Sequence, residues 1–244
     1  MPPLFVDTLV RCDADTLWQL TQDPAQHSRW DLRFSAIHPA IHPEVHPDGA
    51  PGADGRQRFT YVLSLPHPRL PLVTVTGTGV SVGERRGADG RGTSALRFSP
   101  HGRLSPLGEG SGYWRYEPTA RGFRFSTGYD YAPGWGPLGR LLDPVLVRPA
   151  VGWATAWSFD RLRLWAQEGV DPARARDRAL ADVAARALLV ALAAPALRTR
   201  RPAGAAVAAL AVAAAVLVPV GRGTPSARRC GRRPARPERP AGTP

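Results

Sequence analysis

The sequence predicts an α+β domain: an antiparallel sheet followed by a long helix, with a transmembrane segment beyond it. Three observations lead there. Phe123, Phe125, Thr127, Tyr129 and Tyr131 recur every second residue, the period of a strand with one buried face. Several such stretches follow one another at short spacing between residues 58 and 131, which suits antiparallel pairing. Residues 203–220 then contain no polar side chain.

Leu4 to Val10 reads as the first strand. Asp13 or Asp15 can cap the helix carrying Leu17, Trp18 and Leu20, and Asp23-Pro24 restarts the chain into a short helical turn ending near Trp30. Residues 38–56 are rich in Pro, Gly, His and Asp and read as loop. Strands are expected at Arg58 to Leu65, Leu72 to Val82, Ser94 to Ser99, Tyr113 to Glu117 and from Phe123 to Tyr131. Gly77 and Gly79 read as kinks or bulges, and Glu84 to Gly92 as a turn or loop. A long helix follows from about Pro137 to Gln167, with kinks expected at Pro144 and Pro149. Trp153 and Trp157, four apart, share one of its faces.

Charge divides the chain. Every cationic side chain is arginine. Residues 1–170 hold 18 arginines against 16 acids, and residues 171–244 hold 14 against 4. A nucleic-acid-binding domain would carry its basic surface on the fold itself, so no nucleic-acid partner is expected. Arginines flanking an apolar run instead fit anionic lipid headgroups. The organisation that follows is a ligand-binding domain over 1–170, an Ala/Arg-rich helix and basic turn over 171–202, a transmembrane helix over 203–220, and a disordered Arg/Pro-rich tail over 221–244. The 18 residues of 203–220 would reach about 27 Å as a helix, close to a hydrocarbon core of about 30 Å. Arginines on both sides leave a single span or a hairpin with 180–197 open; Asp182 and Arg186 count against the hairpin. The N-terminus, MPPLFVDTLVRCD, has neither a basic n-region nor a long apolar stretch, so no signal peptide is expected and the domain is placed in the cytoplasm, at the cell membrane.

Three stretches carry a family resemblance: LFVDTLVRCDADTLWQLTQDPAQHSRWD, GSGYWRYEPTARGFRFSTGYDY and RPAVGWATAWSFDRLRLW. With the element order, they resemble the START/Bet v1-like superfamily, the polyketide cyclase and lipid-transfer group labelled SRPBCC. The last two look like its membrane-tethered bacterial members. The resemblance covers roughly residues 3–168 and implies a helix-grip fold, in which the sheet wraps around the long helix and leaves an apolar cavity. Members bind lipids, sterols, quinones or polyketides, so a hydrophobic small molecule is the implied partner. Phe59, Tyr61, Phe98, Trp114, Tyr116, Phe123, Phe125, Tyr129, Trp153 and Trp157 are then the candidate lining, around Trp153 and Trp157 in particular. Packing without any ligand is the competing reading, because a domain this size needs such side chains anyway.

His27 and Asp31 form a candidate acid–base pair at the cavity mouth, of the kind a cyclase or dehydratase would use; helix capping is the plainer alternative. His38, His42 and His46 are each followed by proline. Proline disfavours helical geometry in the residue before it, so the four-residue spacing does not stack their rings and no metal is expected. Asp160 and Arg161 belong to a charged cluster read as structural salt bridges. Cys12 and Cys230 are read as unpaired thiols, with palmitoylation of Cys230 a minor alternative. No phosphate-loop, dinucleotide, CxxC or HExxH signature appears, and no cofactor is expected.

Overall fold

The chain is described from a computed structural model over residues 3–39, 57–67, 70–198 and 201–234. It begins with β1 (Leu4–Val10), α1 (Ala14–Gln22), α2 (Pro24–Trp30) and β2 (Ala36–Pro39). Five long strands follow: β3 (Arg58–His67), β4 (Leu70–Arg86), β5 (Gly92–His101), β6 (Leu107–Thr119) and β7 (Gly122–Pro133). They form one seven-stranded sheet in the order β1-β7-β6-β5-β4-β3-β2, antiparallel throughout. Each strand from β2 to β6 pairs with its successor in sequence, and β1 pairs with β7.

Local chemistry sets the first helices. The Asp13 carboxylate accepts the Thr16 N–H at 2.7 Å and caps α1. Asp23 does the same for α2 through Ala25 N–H at 2.8 Å, with Pro24 in the first turn where its missing N–H costs nothing.

The long helix is continuous from α3 (Gly136–Leu142) through a π-helical turn at Asp143–Val147 into α4 (Arg148–Glu168). The expected proline kinks take this form. Pro144 lies inside the wide turn and Pro149 in the first turn of α4, so each missing N–H falls where the regular ladder is already interrupted. Gly169, at φ 65°, ends the helix in the left-handed conformation that favours glycine.

Three boundaries differ from the sequence reading. Ala36–Pro39, at the start of the expected loop, is a short strand on β3. β4 runs on to Arg86, so the following turn is only Gly87 to Arg91. Gly77 and Gly79 are not bulges: they pair directly with Tyr61 and Phe59, and the register shift lies between Ser81 and Gly83. A Cβ at Gly77 would lie 2.3 Å from the Tyr61 ring, and one at Gly79 would lie 2.1 Å from the Phe59 ring. The glycines let both rings lie flat on the sheet. Gly77→Ala is therefore expected to cost about 1–3 kcal/mol by overpacking. The loss should shrink in a Tyr61→Ala background; equal urea midpoint shifts in both backgrounds would show that ring and glycine are not coupled.

Beyond the domain, α5 (Pro172–Arg198) leads away and α6 (Pro202–Leu217) packs back along it. Among the described residues one helix, α5, is long and apolar enough to cross a membrane; α6, which covers most of the apolar run 203–220, is apolar and 16 residues long. The tail also differs from expectation. Residues 221–234 are ordered on the domain, and a 3-10 turn at Ala227–Arg229 packs against α4. Asp7 and Gly231 exchange backbone hydrogen bonds at 3.0 and 2.9 Å beside β1. Ser226 N–H and Arg229 Nη1 both donate to Oδ2 of the buried Asp160, at 2.8 and 2.9 Å. A composition that looks disordered is held by one carboxylate and one backbone bridge. Residues 235–244 of the tail lie outside the described residues.

Candidate functional site

α4 meets the sheet in two different ways along its length. Toward its C-terminal end, large side chains fill the gap: Phe159 stacks on Phe125 with centroids 4.7 Å apart, and Leu162 is fully buried beside them. Toward its N-terminal end the helix offers Val147, Ala150, Val151 and Ala154, while the sheet offers rings lying flat. Small residues opposite flat rings leave a void of about 460 Å³, within the range of small-molecule sites.

Phe59, Tyr61, Phe98, Trp114 and Tyr129, five of the ten expected lining residues, border this cavity. Tyr116, Phe123, Phe125, Trp153 and Trp157 do not. The Tyr116 hydroxyl is tied to Thr21 and Gln22 at 2.7 and 2.8 Å. Phe123 packs against the core beside β1. Trp153 is 49% exposed and stacks on Trp157, which is buried in the core with Arg161 over its ring. The cavity thus lies about one turn nearer the N-terminal end of α4 than the tryptophan pair.

One end of the cavity is polar. His27 borders it on α2, clasped by Trp30 at 5.0 Å, Phe34 at 5.0 Å and Trp114 at 4.7 Å between ring centroids. Its Nε2 lies 3.1 Å from Oδ2 of Asp31, whose side chain is wholly buried. Arg33 grips the same carboxylate with Nη2 to Oδ2 at 2.6 Å and Nε to Oδ1 at 2.9 Å. Behind it the Tyr129 hydroxyl and the Thr155 hydroxyl are 2.7 Å apart. His27 and Asp31 are in hydrogen-bond contact, and Asp31 is also the C-cap residue of α2, its backbone N–H donating to the His27 carbonyl at 3.2 Å.

The charges of this cluster are fixed by their neighbours. Burial alone would raise the Asp31 carboxyl, but the Arg33 charge and hydrogen bonds from His27 and Arg33 outweigh it and hold the carboxyl well below its usual value. Burial pushes His27 below its usual value against the pull of Asp31, so the imidazole is neutral at neutral pH. An ionised carboxylate only accepts hydrogen bonds, so Nε2 carries the His27 proton and Nδ1 is the basic nitrogen. Burial also raises the Tyr129 hydroxyl, which stays protonated. The result is a largely apolar chamber whose wall includes Arg33 compensated by Asp31, the neutral His27 imidazole and the Tyr129 phenol.

Arg33 went unrecognised in the sequence. Residues two apart do not meet on a helix, and only the turn after α2 folds Arg33 back onto Asp31. Ala150, Val151 and Ala154 were missed because small residues carry no signal of the empty space they leave. Among the described residues no group of three or more His, Cys, Asp or Glu could hold a metal ion. His38 pairs with Thr60 at the sheet edge, and His42 and His46 lie outside the described residues. The Cys230 thiol is turned inward, donating to the Ala156 carbonyl at 3.2 Å, and burial raises it to about 12. Cys12 is half-buried and unpaired.

No family model matches the chain. It is 39% identical over 173 residues to YndG of Bacillus subtilis, an uncharacterized membrane protein, over 70% of this chain and 60% of that one. The chain therefore spans about three fifths of the length of that relative. Solved structures similar to it include the Zhui aromatase/cyclase of a Streptomyces species, at 13% identity and a TM-score of 0.45 over 68% of this chain and 95% of that one. A STAR-related lipid transfer protein of Xanthomonas axonopodis is also similar, at 16% identity and a TM-score of 0.41 over 64% and 81%. The fold rests on the chain's own topology: a strand, two short helices, an antiparallel meander that closes back on the first strand, and a long helix held in its curve. That architecture is a helix-grip fold.

Proposed function

We propose that the chain is a membrane-tethered module that binds or transfers a hydrophobic small molecule, a lipid, quinone or polyketide-like compound, in the cavity between sheet and α4. The observation that carries this is the cavity itself. Its walls are largely aromatic and aliphatic, and the Arg33 charge on its wall is compensated by Asp31. An apolar body with an uncharged polar end suits such a chamber. Phe59, Tyr61, Phe98, Trp114 and Tyr129 would hold the body, and His27 would meet the polar end. A relative described as a membrane protein and the apolar α5 support the tether.

The test is native mass spectrometry of the detergent-purified chain, followed by extraction of what it carries. Wild type should carry a molecule of a few hundred daltons, and Val151→Trp should carry none while keeping its unfolding transition. Ala154→Trp fills the same space from the next turn and guards against a folding failure in the first variant. Equal loads in wild type and in both folded variants would place the ligand elsewhere.

The alternative is an enzyme of the cyclase or dehydratase type. One observation favours it: a neutral His27 on the cavity wall, backed by an ionised carboxylate at 3.1 Å, is a proton acceptor of the kind enolisation requires. His27→Gln keeps a donor toward Asp31 and removes the basic nitrogen. Under the first reading it should change only how tightly the ligand is held, and under the second it should abolish turnover of the extracted ligand.

The same proposal places the domain in the cytoplasm. Arg174, Arg176, Arg178, Arg222, Arg228 and Arg229 lie near the two domain-side ends of α5 and α6, against Arg198, Arg200 and Arg201 between the helices. Arginine-rich flanks stay inside.

A further inference from the structure

We infer that α5 and α6 form a hairpin that crosses the bilayer twice, with Arg198–Arg201 at the far headgroups and residues 221–234 back on the domain's side. This deepens the membrane placement proposed above and does not depend on the ligand.

Four observations carry it. First, the chain comes back: the segment after α6 is fastened to β1 and to the buried Asp160, so both ends of the hairpin sit on the folded domain. A single crossing would have to tear those contacts apart. Second, the helices are matched in register. Arg178 reaches the Gly223 carbonyl at the base, Arg186 reaches the Ala215 carbonyl one step out, and the buried Ala193, Ala208 and Gly204 let the backbones close toward the tip. Third, the outer faces are apolar and uncovered: Leu188, Leu192, Leu210 and Leu217 are all more than half exposed. Water would penalise this surface, and hydrocarbon would not. Fourth, the length of α5 fits, and the 16 residues of α6 reach about 24 Å. Twenty residues separate Arg178 at the base from Arg198 at the tip, about 30 Å of helix, which equals the hydrocarbon thickness. Arginines at both levels are complementary to anionic headgroups.

Asp182 and Arg186, the weakness of a hairpin on sequence grounds, are accounted for. They bond each other at 2.6 and 3.1 Å, one turn apart in the base-side half of the span, and Arg186 also satisfies an α6 carbonyl. Neither charge faces lipid without a partner, and the pair ties the two helices together within the span.

The test uses the full chain in a bacterial host, in a Cys12→Ser, Cys230→Ser background that keeps the native unfolding transition. Arg121→Cys reports the domain, Arg198→Cys the tip and Pro234→Cys the returning segment. Spheroplasts are treated with a membrane-impermeant maleimide before and after permeabilisation. Arg198→Cys should label at once, and the other two only after permeabilisation. Labelling of Arg121→Cys and Pro234→Cys from opposite sides would overturn the hairpin, as would labelling of all three from one side. The reverse pattern, tip inside and both others outside, keeps the two crossings and overturns only the cytoplasmic placement. Release of the chain by carbonate overturns the membrane tether itself, whatever the labelling.

Discussion

Asp160→Ala is expected to lower stability by about 3–5 kcal/mol, the usual cost of deleting one partner from a buried ion pair. The carboxylate is wholly buried and fully used. Arg163 donates to Oδ1 at 2.6 Å, and Ser226 N–H and Arg229 share Oδ2. Removing it strands two guanidinium groups at once. Arg163 keeps Glu168 at 2.9 Å, and Arg229 keeps the Thr224 and Gly221 carbonyls at 2.8 and 3.1 Å, so the loss should fall toward the lower end of that range. The second effect is local. With Asp160 gone, the returning segment keeps the Gly231 bridge, the Cys230 and Arg178 contacts and the packing of Ala227, but loses its two shortest side-chain ties to α4. Trypsin should then cut at Arg228, Arg229 or Arg232 under conditions that leave wild type intact. An unchanged urea midpoint together with unchanged tryptic protection would show that the segment docks independently of this carboxylate.

Asp31→Ala should be comparably damaging, again about 3–5 kcal/mol, because it leaves Arg33 buried without its partner and removes the acceptor for His27. Its signature is in the pH dependence. The Asp31 carboxyl is depressed in the folded chain, so its contribution is complete above about pH 3.9, the unfolded value, and is lost as pH falls toward the folded one. His27 is depressed as well, so its contribution is complete above about pH 6.5 and declines as the unfolded state takes up its proton. Wild type should therefore lose stability in two stages on acidification. Asp31→Asn should flatten the lower stage and, by removing the Asp31 pull, move the His27 titration further down. Imidazole chemical shifts and urea midpoints across pH 3–8 check both points; a His27 titration that stays put or rises in Asp31→Asn would refute the coupling.

Much of this architecture was legible in the sequence because it is periodic. The two-residue alternation from Phe123 to Tyr131 identified β7 and its buried face, and the helical reading of Pro137 to Gln167 located α3 and α4. His27 and Asp31 were visible as a pair because a four-residue spacing on a helix brings side chains together whatever surrounds it. Composition also located the apolar segments and the arginines that bracket them.

What only the tertiary structure decided depends on contacts between distant residues. Whether an aromatic lines a cavity or fills a core turns on the size of what lies opposite: Phe125 meets Phe159 and is packed, while Phe59 and Tyr61 lie back on glycines and border open space. Arg33 joined the site because a turn folded it onto a carboxylate two residues away. The returning segment is ordered because Asp160, more than sixty residues earlier, accepts its N–H groups. A sequence records which hydrogen-bonding groups exist; burial and long-range pairing determine which of them are left without water and must find one another.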